Sequence, residues 1–96
     1  MELKDNGVIK LDKGKQKIKC YKFFEKDLNR NLMLHVDVDN KNHISISDER
    51  TGIRLTGLNI SINKIKMEQV NEELDRWKKH FTLPSIREEF LKYEDI

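Results

Sequence analysis

Cysteine, proline and long apolar runs are scarce in this chain of 96 residues, which contains one Cys, one Pro and four Gly. The single thiol, Cys20, cannot form an internal disulfide, which is typical of proteins of a reducing cytoplasm. We expect it to be buried and inert. No apolar run approaches the ~18 residues of a membrane span, and the N-terminal residues lack the apolar stretch of a secretion signal. We therefore expect a cytoplasmic protein that does not enter a membrane.

Motifs for catalysis are absent as well. The glycines stand at positions 7, 14, 52 and 57, so they form no phosphate-binding loop, and the three histidines lie far apart in the sequence. No nucleophile elbow and no pair of cysteines occurs. We therefore expect that the protein is not an enzyme and needs no cofactor.

One cluster of metal-ligating residue types exists, because His35, Asp37 and Asp39 alternate along one predicted strand. Alternation places all three side chains on one face. However, residues i and i+4 of a strand are ~13 Å apart, so a single strand rarely supplies three ligands to one ion. No clear second cluster completes the site, and we expect no bound metal.

Charge is abundant, since 38% of the residues are Asp, Glu, Lys or Arg and 36% are hydrophobic. The net charge is only +2, but residues 1–31 hold nine basic against five acidic residues. Residues 32–62 hold three against four, and residues 63–96 hold seven against eight. The positive field therefore belongs to the first third of the chain, where it can steer an anionic partner.

The apolar residues follow the period of β-strands in the first two thirds of the chain. The alternation is strictest over residues 32–39. We predict an antiparallel sheet of four to five strands over residues ~8–61, with Gly52 at positive φ in a hairpin loop and a bulge at Gly57. The predicted extended segments are 8–11, 17–25, 32–39, 44–47 and 53–60.

After residue 63 the period becomes that of a helix. Five apolar residues recur at spacings of three and four and predict one long helix: Met67, Val70, Leu74, Trp77 and Phe81. Residues 82–84 end this helix, and the capping box Ser85–Glu88 predicts a short second one. The expected fold is a single α+β domain over residues 1–96, with both helices packed on one sheet face and the other face open.

Four aromatic residues lie in or beside the predicted helices: Trp77, Phe81, Phe90 and Tyr93. We interpret the stripe that contains Trp77 and Phe81 as part of the core. The alternative is that the four rings leave an exposed patch for dimerisation or for a partner, because Trp and Tyr dominate interface hot spots.

The most informative pattern is a lysine stripe that runs into the second predicted strand. Six residues of one parity form the candidate nucleic-acid-binding site: Lys13, Lys15, Lys17, Lys19, Tyr21 and Phe23. A strand sends alternate side chains to one face, so we expect these on the open face and Ile18, Cys20 and Phe24 on the core face. Basic side chains beside stackable rings are what a groove for single-stranded nucleic acid requires.

The register of the next hairpin decides whether Lys19 stays free, whereas Lys10, Lys13, Lys15 and Lys17 lie beyond the carboxylates in either case. A hairpin around Asn29 that matches the apolar parities pairs Phe24 with Leu34 and Cys20 with Val38. The same register predicts three pairs on the open face: Lys19 with Asp39, Tyr21 with Asp37, and Phe23 with His35. Cross-strand charge pairs contribute ~0.2–1 kcal/mol each. The alternative to binding is therefore a solvated face whose lysines are partly neutralised by carboxylates.

The order of strands followed by a covering helix resembles that of the Pur-alpha and Whirly families of single-strand-binding proteins. The segment 20–36, with its polar turn Asn29–Asn31, resembles a Pur-type hairpin in pattern, although the specific motif residues differ. The resemblance implies a homodimer with nucleic acid on the open sheet face.

The sequence thus predicts a small, non-enzymatic nucleic-acid-binding protein whose partner is single-stranded. The alternative is a protein-binding module, such as a phage or mobile-element inhibitor of a host or defence enzyme. Compact charged α+β domains without catalytic residues suit that role. The two hypotheses differ in the expected partner, a nucleic acid or a host protein, and both are compatible with a homodimer.

Overall fold

The computed structural model describes residues 1–96, and its five strands and two helices confirm the predicted α+β class. The strands are β1 Asp5–Leu11, β2 Gly14–Glu25, β3 Arg30–Val36, β4 Ile44–Asp48 and β5 Arg54–Leu58. The helices are α1 Met67–Phe81 and α2 Leu83–Phe90. Both helices fall short of the length and hydrophobicity that a bilayer span requires.

The strands form one antiparallel sheet in the order β1-β2-β3-β4-β5, so each strand pairs with its neighbours in sequence. Leu32 and Leu34 of β3 point to the side that the helices cover, which we call the helix face. Met33 and His35 alternate with them and point to the opposite side, the far face. The main core lies between the helix face and the helices, where Leu74 of α1 is 1% exposed.

Helix α1 carries the predicted apolar stripe. Val70, Leu74 and Trp77 are buried against the sheet, which confirms the core interpretation for these residues. Phe81, in the last turn, is 50% exposed. The apolar stripe is therefore buried only as far as Trp77, and its last residue, Phe81, lies at the surface.

Helix α2 begins two residues before the predicted capping box. Its first residue is Leu83, and Pro84 lies in its first turn. A proline is well placed there, because the first N–H groups of a helix have no intrahelical acceptor and the ring presets the helical φ. Ser85 does not cap the helix; its hydroxyl accepts a hydrogen bond from the Thr82 hydroxyl at 3.2 Å.

Strand β5 also differs from the prediction. It spans Arg54–Leu58 rather than 53–60. The residues on either side of Leu55 pair with consecutive residues of β4, so Leu55 is the extra, bulged residue. Gly57, the predicted bulge, pairs regularly. Gly52 takes a φ of 71° in the preceding loop, as predicted.

The β2–β3 hairpin adopts a register three residues away from the predicted one. Tyr21 pairs with Leu34, the residue that the prediction gave to Phe24. An odd shift moves every side chain to the other face. None of the predicted pairs forms: Phe24 with Leu34, Cys20 with Val38, Lys19 with Asp39, Tyr21 with Asp37, or Phe23 with His35.

The turn between β2 and β3 explains this shift. Leu28, which lies between the predicted strands 17–25 and 32–39, is 6% exposed and belongs to the main core. Asn29 takes a φ of 54°, a left-handed conformation that Asn tolerates, and Glu25 pairs with Arg30 across the turn. The turn therefore centres before Asn29 rather than on it. The observed register is one in which this leucine is buried.

The far face is not open, contrary to the prediction. Four of its residues are no more than 3% exposed: Met33, His35, Ser45 and Ser47. The β1–β2 hairpin covers part of this face, because Ile9 packs against Met33 and Cys20. The Lys10 N–H also donates to the Gly52 carbonyl at 2.9 Å. Cys20 is fully buried, as predicted, and burial raises the pKa of its thiol.

Candidate nucleic-acid interface

The β1–β2 hairpin gathers lysines from two strands and their turn. Lys10 of β1 lies directly opposite Lys15 of β2. We call the five exposed residues of this group the hairpin lysines: Lys10, Lys13, Lys15, Lys17 and Lys19. Lys10 was not among the predicted site residues. The sequence feature that could have identified Lys10 is the short turn at Asp12–Lys13, because β1 and β2 pair residue by residue on either side of it.

No carboxylate neutralises the hairpin lysines. None of them takes part in an ion pair, whereas eight other basic residues do. Lys19 has a neutral partner, the side-chain oxygen of Asn6 at 2.7 Å. Like charges directly opposite each other, as at Lys10 and Lys15, destabilise a hairpin. The stability of the fold therefore does not explain this cluster.

The carboxylates that the sequence analysis placed beside the lysines serve the turn after β3 instead. β3 ends at Val36, and Asp37 accepts hydrogen bonds from the N–H groups of Asp39 and Asn40 at 2.8 and 3.2 Å. The bond from the Asp39 N–H, with others, holds the pKa of Asp37 below its usual value. The predicted neutralisation of Lys19 by Asp39 is therefore wrong. The lysine face is solvated but not salt-bridged.

Strand β2 exchanges its buried side midway along its length. Ile18 and Cys20 pack on the small core of the far face, whereas Phe23 packs on the main core. Ile18 and Phe23 lie on opposite sides of β2, because one has an even and the other an odd number. Phe23 therefore lies on the same side of the strand as Lys15, Lys17 and Lys19, but it packs on the main core. Phe24 is consequently 60% exposed, contrary to the prediction.

Tyr21 lies where the lysine side of β2 passes into the core. Its side chain is 37% exposed. Its ring stacks on that of Phe23, with the centroids 6.1 Å apart and the planes inclined by 21°. Phe23 itself is half-buried against the main core. Of the two rings predicted to stack bases, Tyr21 is the better placed, and Phe23 supports it from the core.

We expect the two aromatic residues to respond differently to substitution. Tyr21→Ser should keep the fold near native stability, because the ring lies at the surface. Phe23→Ser should lower the free energy of unfolding by ~1–3 kcal/mol, less than the ~3–5 kcal/mol of a fully buried Phe. Urea denaturation followed by circular dichroism measures both. Equal losses would show that Tyr21 is a core residue and is not available for stacking.

A polar cavity of about 300 Å³, which the sequence analysis did not foresee, lies between the β1–β2 hairpin and the far face. His35 lines it, with Nε2 2.8 Å from the Ser47 hydroxyl and Nδ1 3.0 Å from the Val36 carbonyl. A carbonyl only accepts, so Nδ1 carries the proton and Nε2 accepts from Ser47. Burial lowers the pKa of His35, which keeps the imidazole neutral near pH 7.

This buried histidine makes stability depend on pH. The unfolded chain binds the proton of His35 more readily than the folded one, so stability is full above pH ~6.5 and falls as the pH decreases. The free energy of unfolding should change by no more than ~1.4 kcal/mol per pH unit through this group. Of the charged groups near His35, Asp37 raises the pKa of the imidazole and Arg54 lowers it.

Denaturation at pH 5.5 and pH 7.5, values that bracket the usual histidine pKa of ~6.5, tests this expectation. His35→Gln should remove most of the difference in stability between the two pH values. His80→Gln, at an exposed position, is the control for the loss of any histidine. An unchanged pH difference in His35→Gln would contradict the assignment. Carboxylates with lowered pKa, such as Asp48 and Glu73, act only at more acidic pH.

No group of three or more His, Cys, Asp or Glu side chains converges in a way that could hold a metal ion. His35 faces Ser47, and Asp37 is taken up by the turn after β3. Comparisons with protein-family models, with curated proteins and with solved structures find no match to this chain.

Proposed function

We propose that this protein binds single-stranded nucleic acid through the hairpin lysines and Tyr21, without catalysing a reaction. The observation that carries the proposal is the lack of any carboxylate partner for the hairpin lysines, two of which oppose each other across the strands. Concentrated, unpaired positive charge is the electrostatic requirement for binding a phosphate backbone.

The order of the side chains supports a single strand as the ligand. Lys15, Lys17 and Lys19 follow one side of β2 over ~13 Å. Tyr21 continues the same side with a partly free ring. Base stacking on an aromatic ring is tolerant of sequence, because every base has a π-face. We therefore expect binding with little base preference.

Binding of this kind should depend strongly on salt. If about four phosphates are neutralised, the logarithm of the association constant should fall against the logarithm of the salt concentration with a slope of about −3. Fluorescence anisotropy of a labelled single-stranded oligonucleotide over a salt series measures this slope. No binding at low salt, or an affinity that ignores salt, would contradict the proposal.

Two triple variants remove the same charge from different places. Replacing Lys15, Lys17 and Lys19 by Ala should reduce the magnitude of the slope by about 2. The control replaces three exposed lysines that have no ion pair: Lys41, Lys64 and Lys79. Equal losses in the two variants would mean that net charge, and not a site on the hairpin, produces the binding.

The stacking role of Tyr21 is tested separately from charge. Tyr21→Ser should weaken binding to the single strand by ~1–3 kcal/mol while the salt slope stays the same. A duplex of the same sequence should bind more weakly than the single strand, because its bases are not free to stack. Equally tight binding of the duplex would mean that phosphate contacts alone produce the affinity and that no base stacks on Tyr21.

The alternative function, a protein-binding module that acts on a host enzyme, is favoured by a different feature. An apolar groove lies between β5 and the two helices. Its residues point to a protein surface as the ligand rather than a nucleic acid. We rank this alternative second, because nothing in the groove specifies a particular protein partner.

A further inference from the structure

The polar cavity of about 300 Å³ beneath the β1–β2 hairpin, which we call the far-face cavity, has the size of a small ligand site. Ligand pockets span ~300–1,000 Å³, so this one admits a small ring system and not a folded partner. Ile9 and Leu11 of β1 line one side, and Ser45 and Ser47 of the far face line the other. Val38, also in the lining, is 43% exposed, so the cavity is accessible from solvent.

The charges around the far-face cavity cancel. Lys10 and Arg54 are its basic residues, and Asp37 and Asp39 are its acidic ones. His35, the remaining titratable group of the lining, is neutral near pH 7, because burial lowers its pKa. A phosphate group or a metal ion would meet two charges of its own sign here, which opposes binding. The cavity therefore favours a ligand without net charge.

Arg54 supplies hydrogen-bond donors that the fold leaves unused. Its Nε donates to the Ser45 hydroxyl at 3.0 Å and lies 3.9 Å from a carboxylate oxygen of Asp37, which fixes the side chain. Gly57 gives the guanidinium room, because a Cβ at that position would clash with Nη2. Neither Nη atom has an acceptor in the protein, and the side chain is 57% exposed. Arg54 can therefore offer a planar pair of donors to a ligand.

The lining supplies acceptors and apolar contacts as well. Ser47 donates its proton to Nε2 of His35 at 2.8 Å, which leaves the lone pairs of the hydroxyl for a donor on the ligand. The exposed carboxylate of Asp39 accepts no hydrogen bond within the protein. A suitable ligand is neutral, has donors and acceptors on one edge, and has apolar faces for Ile9 and Leu11. A nucleobase has this combination, and pockets for unstacked bases are built in this way.

The far-face cavity lies next to the hairpin lysines. Lys10 belongs to both, since it lines the cavity and lies opposite Lys15 in the hairpin. Leu11 lines the cavity too, and the turn that carries Lys13 follows it directly. The path between them leads round this tip, because the Gly52 carbonyl accepts a hydrogen bond from the Lys10 N–H and occupies the edge of β1 there. A nucleotide at the tip can therefore turn its base inward while its phosphate stays outside.

We infer that the far-face cavity receives one unstacked base of the strand that the hairpin lysines hold, with Arg54 donating to an acceptor edge of that base. The base site rests on the proposed function, because the lysines must hold the strand. Discrimination between bases is confined to the one nucleotide in the cavity, and the rest of the strand stays tolerant of sequence.

Two labelled oligonucleotides of equal length, one with its bases and one wholly abasic, separate base contacts from phosphate contacts. Arg54→Lys keeps the charge but loses the planar fork. By fluorescence anisotropy, it should weaken binding of the strand with bases about tenfold. Binding of the abasic strand, and the salt slope, should stay as in the native chain. The matched control is Arg50→Lys, an exposed arginine outside the cavity, which should bind both strands normally.

The imidazole of His35 gives a signal from inside the cavity that needs no variant. In NMR spectra, its ring resonances should shift when the strand with bases saturates the protein, whereas the abasic strand should leave them unchanged. The ring of His80, exposed on α1, is the control and should not respond to either strand. Free nucleosides share the base but carry no phosphate. They should shift His35 only at far higher concentrations than the strand, because the lysines do not hold them.

The outcomes separate the base site from the proposed function. A strand that binds without shifting His35, an abasic strand that shifts it equally, or an equal loss of abasic binding in Arg54→Lys would overturn the base site and leave the lysine site standing. A nucleoside that shifts His35 at the concentrations of the strand would make the free nucleoside the ligand instead. If neither strand binds at low salt, the proposed function fails and the base site fails with it.

Discussion

Arg30→Leu is expected to lower the free energy of unfolding by about 3–5 kcal/mol, among the largest effects of any single substitution in this protein. The guanidinium donates to both carboxylate oxygens of Asp48 at 2.7 Å, and the side chain of Asp48 is fully buried. Burial alone would raise the pKa of Asp48, but the bonds from Arg30 and Thr51 hold it below its usual value. Without Arg30, the fold must bury a poorly compensated negative charge.

Urea denaturation with a matched control measures this effect. Arg50→Leu removes an arginine of an exposed pair with Asp95, 3.0 Å long and more than half accessible on both sides, so it should cost less than ~1 kcal/mol. The double variant Arg30→Leu with Asp48→Leu should recover much of the loss, because no buried charge remains. Similar losses in Arg30→Leu and Arg50→Leu would contradict the buried-pair account.

Trp77→Ala is expected to cost about 3–5 kcal/mol, because the indole is 7% exposed within the main core and its removal leaves a cavity. Phe81→Ala, one turn later and 50% exposed, is the control and should cost less than half as much. Thermal denaturation of both variants and of the native chain measures the two losses. Near-native stability of Trp77→Ala would mean that the tryptophan acts at the surface of the groove rather than in the core.

The apolar periods alone were enough to predict the class of fold. The spacing of Val70, Leu74 and Trp77 defines one helix face whatever surrounds it, since those side chains repeat every 3.6 residues. The alternation in 32–36 separates Leu32 and Leu34 from Met33 in the same way, and these faces are confirmed. Local patterns of this kind depend only on the geometry of one element.

The candidate site could be predicted only in part. The alternation of Lys15, Lys17 and Lys19 is a local pattern, and the three residues do lie exposed on β2. The freedom of Lys19 from Asp39 was not predictable, because it depends on the register with β3. The contribution of Lys10 required knowing that β1 pairs with β2. The prediction for the aromatic residues differs most from the structure, because Phe23 packs on the main core instead of lying on an open face.

The sequence by itself thus determined which residues share a face within each helix and strand, and where the positive charge of the chain is concentrated. The tertiary structure decided how the strands align and which faces are covered. The β2–β3 register differs from the predicted one by three residues and accompanies the burial of Leu28, and Ile9 covers part of a face that the strand pattern leaves open. The alignment of the strands depends on contacts between residues distant in sequence. The alignment that forms is the one whose contacts together give the lowest free energy. A periodic pattern describes one element at a time and cannot make that comparison.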